Sequence, residues 1–324
     1  MYNKMVFILA IMLIYSFSTG SAMAQKKYPE KPIQAIVAYT PGGSTDAAAR
    51  LLAEFLKKYL GQPVIAVNKP GGGAAIGANE LFKSKPDGYT IGIFNENAPF
   101  PELQINPGRY IYKAEDIQGV AQSAGYVPAL FTRYDAPWKS LEELIDFAKK
   151  NPNVLKWGHP GRGGLMWIIG NLFIQQTGIK ALEVPFDNDA LAIAGILGNH
   201  IDMSVSIYSP VPIAQLEAKK IRVLCLATQR RVDLWSNLPT AEELGYPFGV
   251  PDVYLGTFVP KGTPKEVIAI LSGAIKKVNE DPEFKEKMEK IGFPVVYRDT
   301  KDFEILIENY AKIKYSLLKK LGFL

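Results

Sequence analysis

Short apolar runs alternate with stretches of helical period along almost the whole chain. The first runs are "IQAIVAY", "PVIAVN" and "YTIGIF", separated by a helical pattern from Ala47 to Leu60 and another near Ala75 to Ser84. In the longer of these, Ala48, Leu51, Leu52, Phe55, Leu56, Tyr59 and Leu60 recur at i, i+3 and i+4, and Gly61 follows as a stop. A helix of that pattern buries one face against a sheet. The middle of the chain reads "PALFTRY", the helical "SLEELIDFAKKN", "VLKWG", a helix from about Gly164 to Gln176, "ALEVPF", a helix near Asp189 to Leu197, "IDMSVS" and "IRVLCLAT". Ser140 with Glu143, and Thr240 with Glu243, fit the S/T-x-x-E pattern in which side chains and amides satisfy one another at a helix start. Near the end, Thr263 with Pro264 and Asp281 with Pro282 each open a helix, "FPVVY" reads as a strand, and a last helix runs to about Lys320.

Strands alternating with helices predict an α/β architecture of mostly parallel sheets. A chain of 324 residues exceeds the size, about 250 to 300 residues, at which single cores stop growing, so two lobes are expected. Gly and Pro cluster without helical period in "QSAGYVPALF" and "YPFGVPDVYLGTFVP", where the chain would cross between them. The expected first lobe is then residues 25–125 plus 251–324, with 126–250 inserted as the second.

Composition adds little until the N-terminus is considered. Hydrophobic residues make up 48% and the net charge is +5, with Lys and Arg dispersed, so no nucleic-acid footprint is indicated. "MYNKMVFILAIMLIYSFSTGSAMAQ" carries a lysine, an apolar stretch from Met5 to Tyr15 and a small-x-small end at Ala22 to Ala24, the pattern of a signal peptide spanning residues 1–24. The expected location of the mature chain is the periplasm. Cys225 is the only cysteine and falls within an apolar strand pattern, which makes it a core thiol with no disulfide partner in the chain.

The candidate chemistry lies in glycine loops between strands and helices. "YTPGGSTD" lacks the lysine of a phosphate-binding P-loop and the Gly-x-Ser-x-Gly spacing of a nucleophile elbow. Neither of the two histidines, His159 and His200, is placed by sequence beside Ser44, so an exported hydrolase built on Ser44 and Asp46 lacks a base. Two readings remain open for this segment. Its glycines, unpaired amides and hydroxyls would seat an anion at a helix N-terminus, or Ser44 or Thr45 would only cap the helix. A second cluster, "NKPGGGAAIGANE", has no dinucleotide spacing, and places Asn68 at a strand's carboxyl end. A third, "GHPGRGGLMWIIGNLF", repeats the arrangement in the second lobe; Arg162 offers a bidentate contact to a carboxylate, and Trp167 is either a stacking surface or core. No metal-ligand spacing is present, and no cofactor or catalytic residue is expected.

The run from "YPEKPIQAIVAYTPGGSTDAAARLL" through "VNKPGGGAAIGANELFKSKPDGYTI", with "GRGGLMWIIGNLF", "LGNHIDMSVS" and "GTFVPKGTPKEV", resembles the extracytoplasmic receptors of tripartite tricarboxylate transporters, the Bug proteins. The resemblance covers nearly all of the chain after the N-terminal stretch. It implies a two-lobed periplasmic-binding-protein fold of type II that closes on a small carboxylate and delivers it to membrane subunits, as a monomer; a ligand-sensing partner of a membrane receptor is the variant reading. On this sequence it implies first-lobe contacts from Tyr39, Gly42, Gly43, Ser44, Thr45 and Asp46, with Asn95 or Asn97. Second-lobe contacts would be Gly161, Arg162, Gly163 and Gly164, the loop from Phe186 through Asp187 to Asp189, and Ser204 or Ser206. The chain departs from the family pattern at Gly164, where a hydroxyl residue is usual, at Trp167, where a histidine is common, and in "PFDNDA". There Asp187 and Asp189 would repel a dianion if they face the cleft. Either they accept a cationic group of the ligand, or one caps the next helix and the other faces water.

Overall fold

The computed structural model describes residues 28–100, 103, 108, 111–250 and 253–324. The expected signal peptide lies outside the described residues. Two sheets organise the rest. The first contains β1 (Ile33–Val37), β2 (Val64–Asn68), β3 (Thr90–Asn95), β4 (Ile117–Tyr126), β10 (Val253–Pro260) and β11 (Val295–Arg298), in the order β11-β4-β10-β3-β1-β2. The second contains β5 (Pro128–Arg133), β6 (Lys156–Pro160), β7 (Leu182–Phe186), β8 (Met203–Ile207) and β9 (Ile221–Leu226), in the order β7-β6-β8-β5-β9.

The sheets are mixed, where mostly parallel pairing was expected. β1 pairs parallel with β2 and β3, and β6 with β7 and β8, whereas β4, β5, β9, β10 and β11 make antiparallel pairs. The cause is the path between the lobes. β4 leaves the first sheet at Tyr126, and after the single residue Val127 the chain is β5 of the second sheet. The chain returns as β10, which pairs Val253 with Tyr126 and runs against β3. Strands that carry the chain across one way and back the other oppose the local β-α-β units.

The helices are α1 (Ser44–Leu60), α2 (Ala75–Lys83), α3 (Leu141–Lys150), α4 (Leu165–Thr177), α5 (Asp189–Leu197), α6 (Pro210–Glu217), α7 (Lys265–Glu280), α8 (Pro282–Lys290) and α9 (Thr300–Lys320). α1 buries the expected stripe of Ala48, Leu52, Phe55 and Leu56, and stops at Gly61, whose φ of 70° is left-handed. Ser140 caps α3 through the Glu143 amide at 3.2 Å. The second expected box also forms, with Thr240 Oγ1 accepting from the Glu243 amide at 3.2 Å and Glu243 Oε2 accepting from the Thr240 amide at 3.0 Å. It starts only a turn, however, because Gly245 takes a φ of 80° and Pro247 follows. α6 was not evident in the sequence, since "SPVPIAQLE" opens with two prolines; the first occupies N1, where no amide is needed. α7 and α9 return to pack on β4 of the first sheet. Cys225 is buried in β9 as expected.

Candidate functional site

Loops leaving the carboxyl ends of β1, β2 and β3 in one sheet, and of β6, β7 and β8 in the other, line a cavity of about 450 Å³. That is where ligands sit in open α/β sheets. Tyr39, Gly43, Ser44 and Thr45 follow β1; Asn95 and Asn97 stand at the end of β3; Gly161, Arg162 and Gly164 follow β6; Phe186, Asp187 and Asp189 follow β7; all line it. A second cavity, of about 840 Å³, lies behind the crossing strands and includes Gln122, Arg231 and Arg298, but no helix start or glycine loop of the kind described here opens onto it.

Four helices begin at the first cavity, and the starts of three of them, α1, α2 and α4, share a feature. α1 is preceded by Gly43, α2 by Ala74 and α4 by Gly164, and none of the three is capped by a side chain. Each leaves backbone N–H groups and the positive end of a helix dipole directed at the cavity wall. The loop before α2 holds Gly71, Gly72, Gly73 and Ala74 at positive φ in succession, and all four line the cavity. Gly161, at a φ of 95°, supplies the corresponding bend before α4. The capping alternative for Ser44 and Thr45 is therefore not the arrangement observed at α1.

Ser44 instead reaches across to the other lobe. Its hydroxyl donates a hydrogen bond to Asp189 Oδ2, and the Asn188 side-chain amide donates to Thr40 Oγ1 at 3.1 Å. Asn188, not either aspartate, caps α5, accepting from the Leu191 amide at 2.9 Å. Asp189 is buried, which pushes its carboxyl above the usual range against the opposing hydrogen bond from Ser44. Asp187 is exposed at the cavity.

Five of the residues expected at the site do not line the cavity. Asp46 is buried and turned to its own helix and β2. It accepts the Gly42 amide at 2.9 Å, the Asn68 side-chain amide at 2.7 Å, and pairs with Arg50. Burial pushes its carboxyl up, but hydrogen bonds from Arg50, Asn68 and Gly42 together hold it below the ordinary range. Gly42 serves that contact, and Asn68 is consumed by it. Gly163 lies in the bend before α4, at a φ of 84°. Ser204 and Ser206 are wholly buried on β8 and hydrogen-bond each other at 2.8 Å; β8 presents Ile207 to the cavity instead. Trp167 is buried against Phe323, with ring centroids 4.7 Å apart.

Arg162 is exposed, and its Nε lies 2.8 Å from Glu183 Oε1. His159 is buried with Nε2 3.2 Å from the same oxygen; burial pushes its pKa down, and Glu183 pulls the other way. His200 is exposed. Neither imidazole is hydrogen-bonded to Ser44, whose hydroxyl faces a carboxylate. Among the described residues no group of three or more His, Cys, Asp or Glu is placed to hold a metal ion.

Glu96 is the residue that the sequence did not mark. An acid between two asparagines in "FNENAPF" reads as solvated, yet Glu96 is wholly buried, lines the cavity, and has no hydrogen-bond partner for either carboxylate oxygen among the described residues. Burial pushes its pKa up to about 8, and Lys314, buried on α9, pulls it back.

Comparison with known proteins agrees with this architecture. The family model described as "Tripartite tricarboxylate transporter family receptor" matches residues 48–323. Protein BugT of Bordetella pertussis is 30% identical over 289 residues, which cover 88% of this chain and 87% of BugT. The solved structure of the periplasmic binding protein BugD superposes with a TM-score of 0.82 at 28% identity, over 91% of this chain and 99% of that one. An R. palustris protein solved with adipate gives a TM-score of 0.85 at 25% identity, over 91% and 98%. These neighbours are binding and transport receptors, not enzymes. With the matching family model spanning most of its length, the chain belongs to the tripartite tricarboxylate transporter receptor family of periplasmic solute-binding proteins.

Proposed function

We propose that the chain captures a small carboxylate in the cleft between its lobes and presents it to the membrane subunits of a tripartite transporter. The observation that carries this reading is the convergence of three helix starts without side-chain caps, those of α1, α2 and α4, on one cavity at the carboxyl ends of both sheets. Amides at helix starts suit an anion and need no catalytic group. The adipate named with a structural relative is of the same chemical class. On this reading residues 1–24 direct export, the first lobe is 25–125 with 251–324, and the second is 126–250. Val127 then serves as a hinge.

Charge-assisted hydrogen bonds contribute about 1.5 to 3 kcal/mol each, so three or four reach the roughly 8 kcal/mol of a micromolar complex. A thermal-shift screen of small carboxylates, followed by titration, tests the proposal. At least one carboxylate should raise the melting temperature. Thr45→Ala, which removes a hydroxyl from the cavity wall, should weaken that ligand by about tenfold or more while leaving the free protein's melting temperature unchanged. Equal binding by parent and variant would return Thr45 to a structural role.

A further inference from the structure

Ser44 opens α1 at the cavity, and a carboxylate from the other lobe is already seated on it: its hydroxyl donates to Asp189 Oδ2. Burial pushes the Asp189 carboxyl above the ordinary range, while the Ser44 hydroxyl and the amides of Asp189 and Ser44 favour its charged form. Asp189 is 8% exposed and has little freedom to leave. Its neighbour Asn188 donates to Thr40 Oγ1 at 3.1 Å and caps α5 by accepting the Leu191 amide at 2.9 Å. A hydroxyl and an amide at a helix start are the donors a ligand carboxylate would use, and here they serve the protein's own. Nothing nearby offsets a further negative charge. Asp187 is exposed at the same wall, and Arg162, the cation among the described lining residues, is held by Glu183 at 2.8 Å. Most of the remaining wall is apolar, with Tyr126, Leu165, Met166, Phe186 and Ile207 lining it. Such a wall suits an uncharged body.

We infer that Asp189 fills, with the protein's own carboxylate, the place at α1 that a second ligand carboxylate would take, so that the ligand is a monocarboxylic acid with an uncharged, mainly apolar body. This rests on the carboxylate reading of the cleft and narrows it. The ligand's single carboxylate then meets the starts of α2 and α4, which no side chain caps. Asp189 sets the specificity, excluding dicarboxylates by occupying their second place and by like charge.

Isothermal titration of length-matched pairs decides: butanoate against succinate, hexanoate against adipate, and benzoate against terephthalate. In at least one pair the parent protein should bind the monoacid at least tenfold tighter. Asp189→Ala vacates the place and frees Ser44, and should narrow that ratio at least tenfold by tightening the diacid. A merely structural loss would weaken both members alike and leave the ratio where it was. Should Asp189→Ala not fold, Asp189→Asn, which keeps the shape and an acceptor for Ser44 but removes the charge, should narrow the ratio at least threefold. Parent protein without a tenfold preference for the monoacid in any pair it binds overturns the inference while leaving the carboxylate receptor standing. A ratio unchanged by the variants overturns the role of Asp189. Absence of binding by all six acids overturns the inference, and a carboxylate screen negative throughout takes the underlying reading with it.

Discussion

Asp46 and Asp189 both stand near the first turn of α1, and their environments separate their roles. Asp46 satisfies Gly42, Asn68 and Arg50 and holds the loop together from behind. Replacing it by alanine leaves the Gly42 and Asn68 amides without their acceptor, at a cost of about 1 to 3 kcal/mol in chemical denaturation, with ligand preference unchanged. The family resemblance placed both aspartates at the site; only the fold brings Asn68 from β2 to one and Ser44 to the other. Glu96 was illegible for a related reason, since its burial depends on α9, which arrives more than 200 residues later. Its pKa in the folded protein, about 8, lies above the ordinary 4.5. The fold therefore favours the protonated form, and this contribution is complete below pH 4.5 and is lost as pH rises through 8. Glu96→Gln keeps a neutral side chain of similar shape. Its melting temperature should match the parent's pH dependence below 4.5 and rise relative to the parent between 4.5 and 8. Parallel curves across that interval would contradict the assignment.

At the scale of elements, the site depends on how closely helices approach strands. Gly170 of α4 lies against Trp157 of β6, so that a methyl group there would come 2.0 Å from the indole ring. That contact fixes α4, and with it the loop from Gly161 to Gly164, over the cavity. Gly170→Ala should cost about 1 to 3 kcal/mol by denaturation and weaken ligand binding as the loop shifts. An unchanged melt would show that Trp157 yields freely. The strands and long helices were legible because their apolar periods are strong: α1 and α5 were anticipated closely, and Gly61 ends α1 as expected. α6 was hidden by its prolines, and the box at Thr240 promised a helix that Gly245 and Pro247 prevent. Local signals at a helix start say that a turn begins, and neighbouring residues decide whether it continues.

For the whole molecule, the sequence conveyed two lobes and the glycine loops that face each other, but not the direction of the strands. The antiparallel pairs come from β4, β5 and β10, which run between the sheets, and no local pattern reports that route. The same route places six strand ends around one cavity and joins the sheets through Val127 alone on the outward path. On the proposed reading the receptor needs no reacting group, only donors that converge on its ligand. The most direct test is native mass spectrometry of protein purified from its host, with the released small molecule identified after denaturation. One small carboxylate per chain is the result predicted. A bound species without a carboxyl group, or none even after incubation with a broad panel of carboxylates, would contradict it.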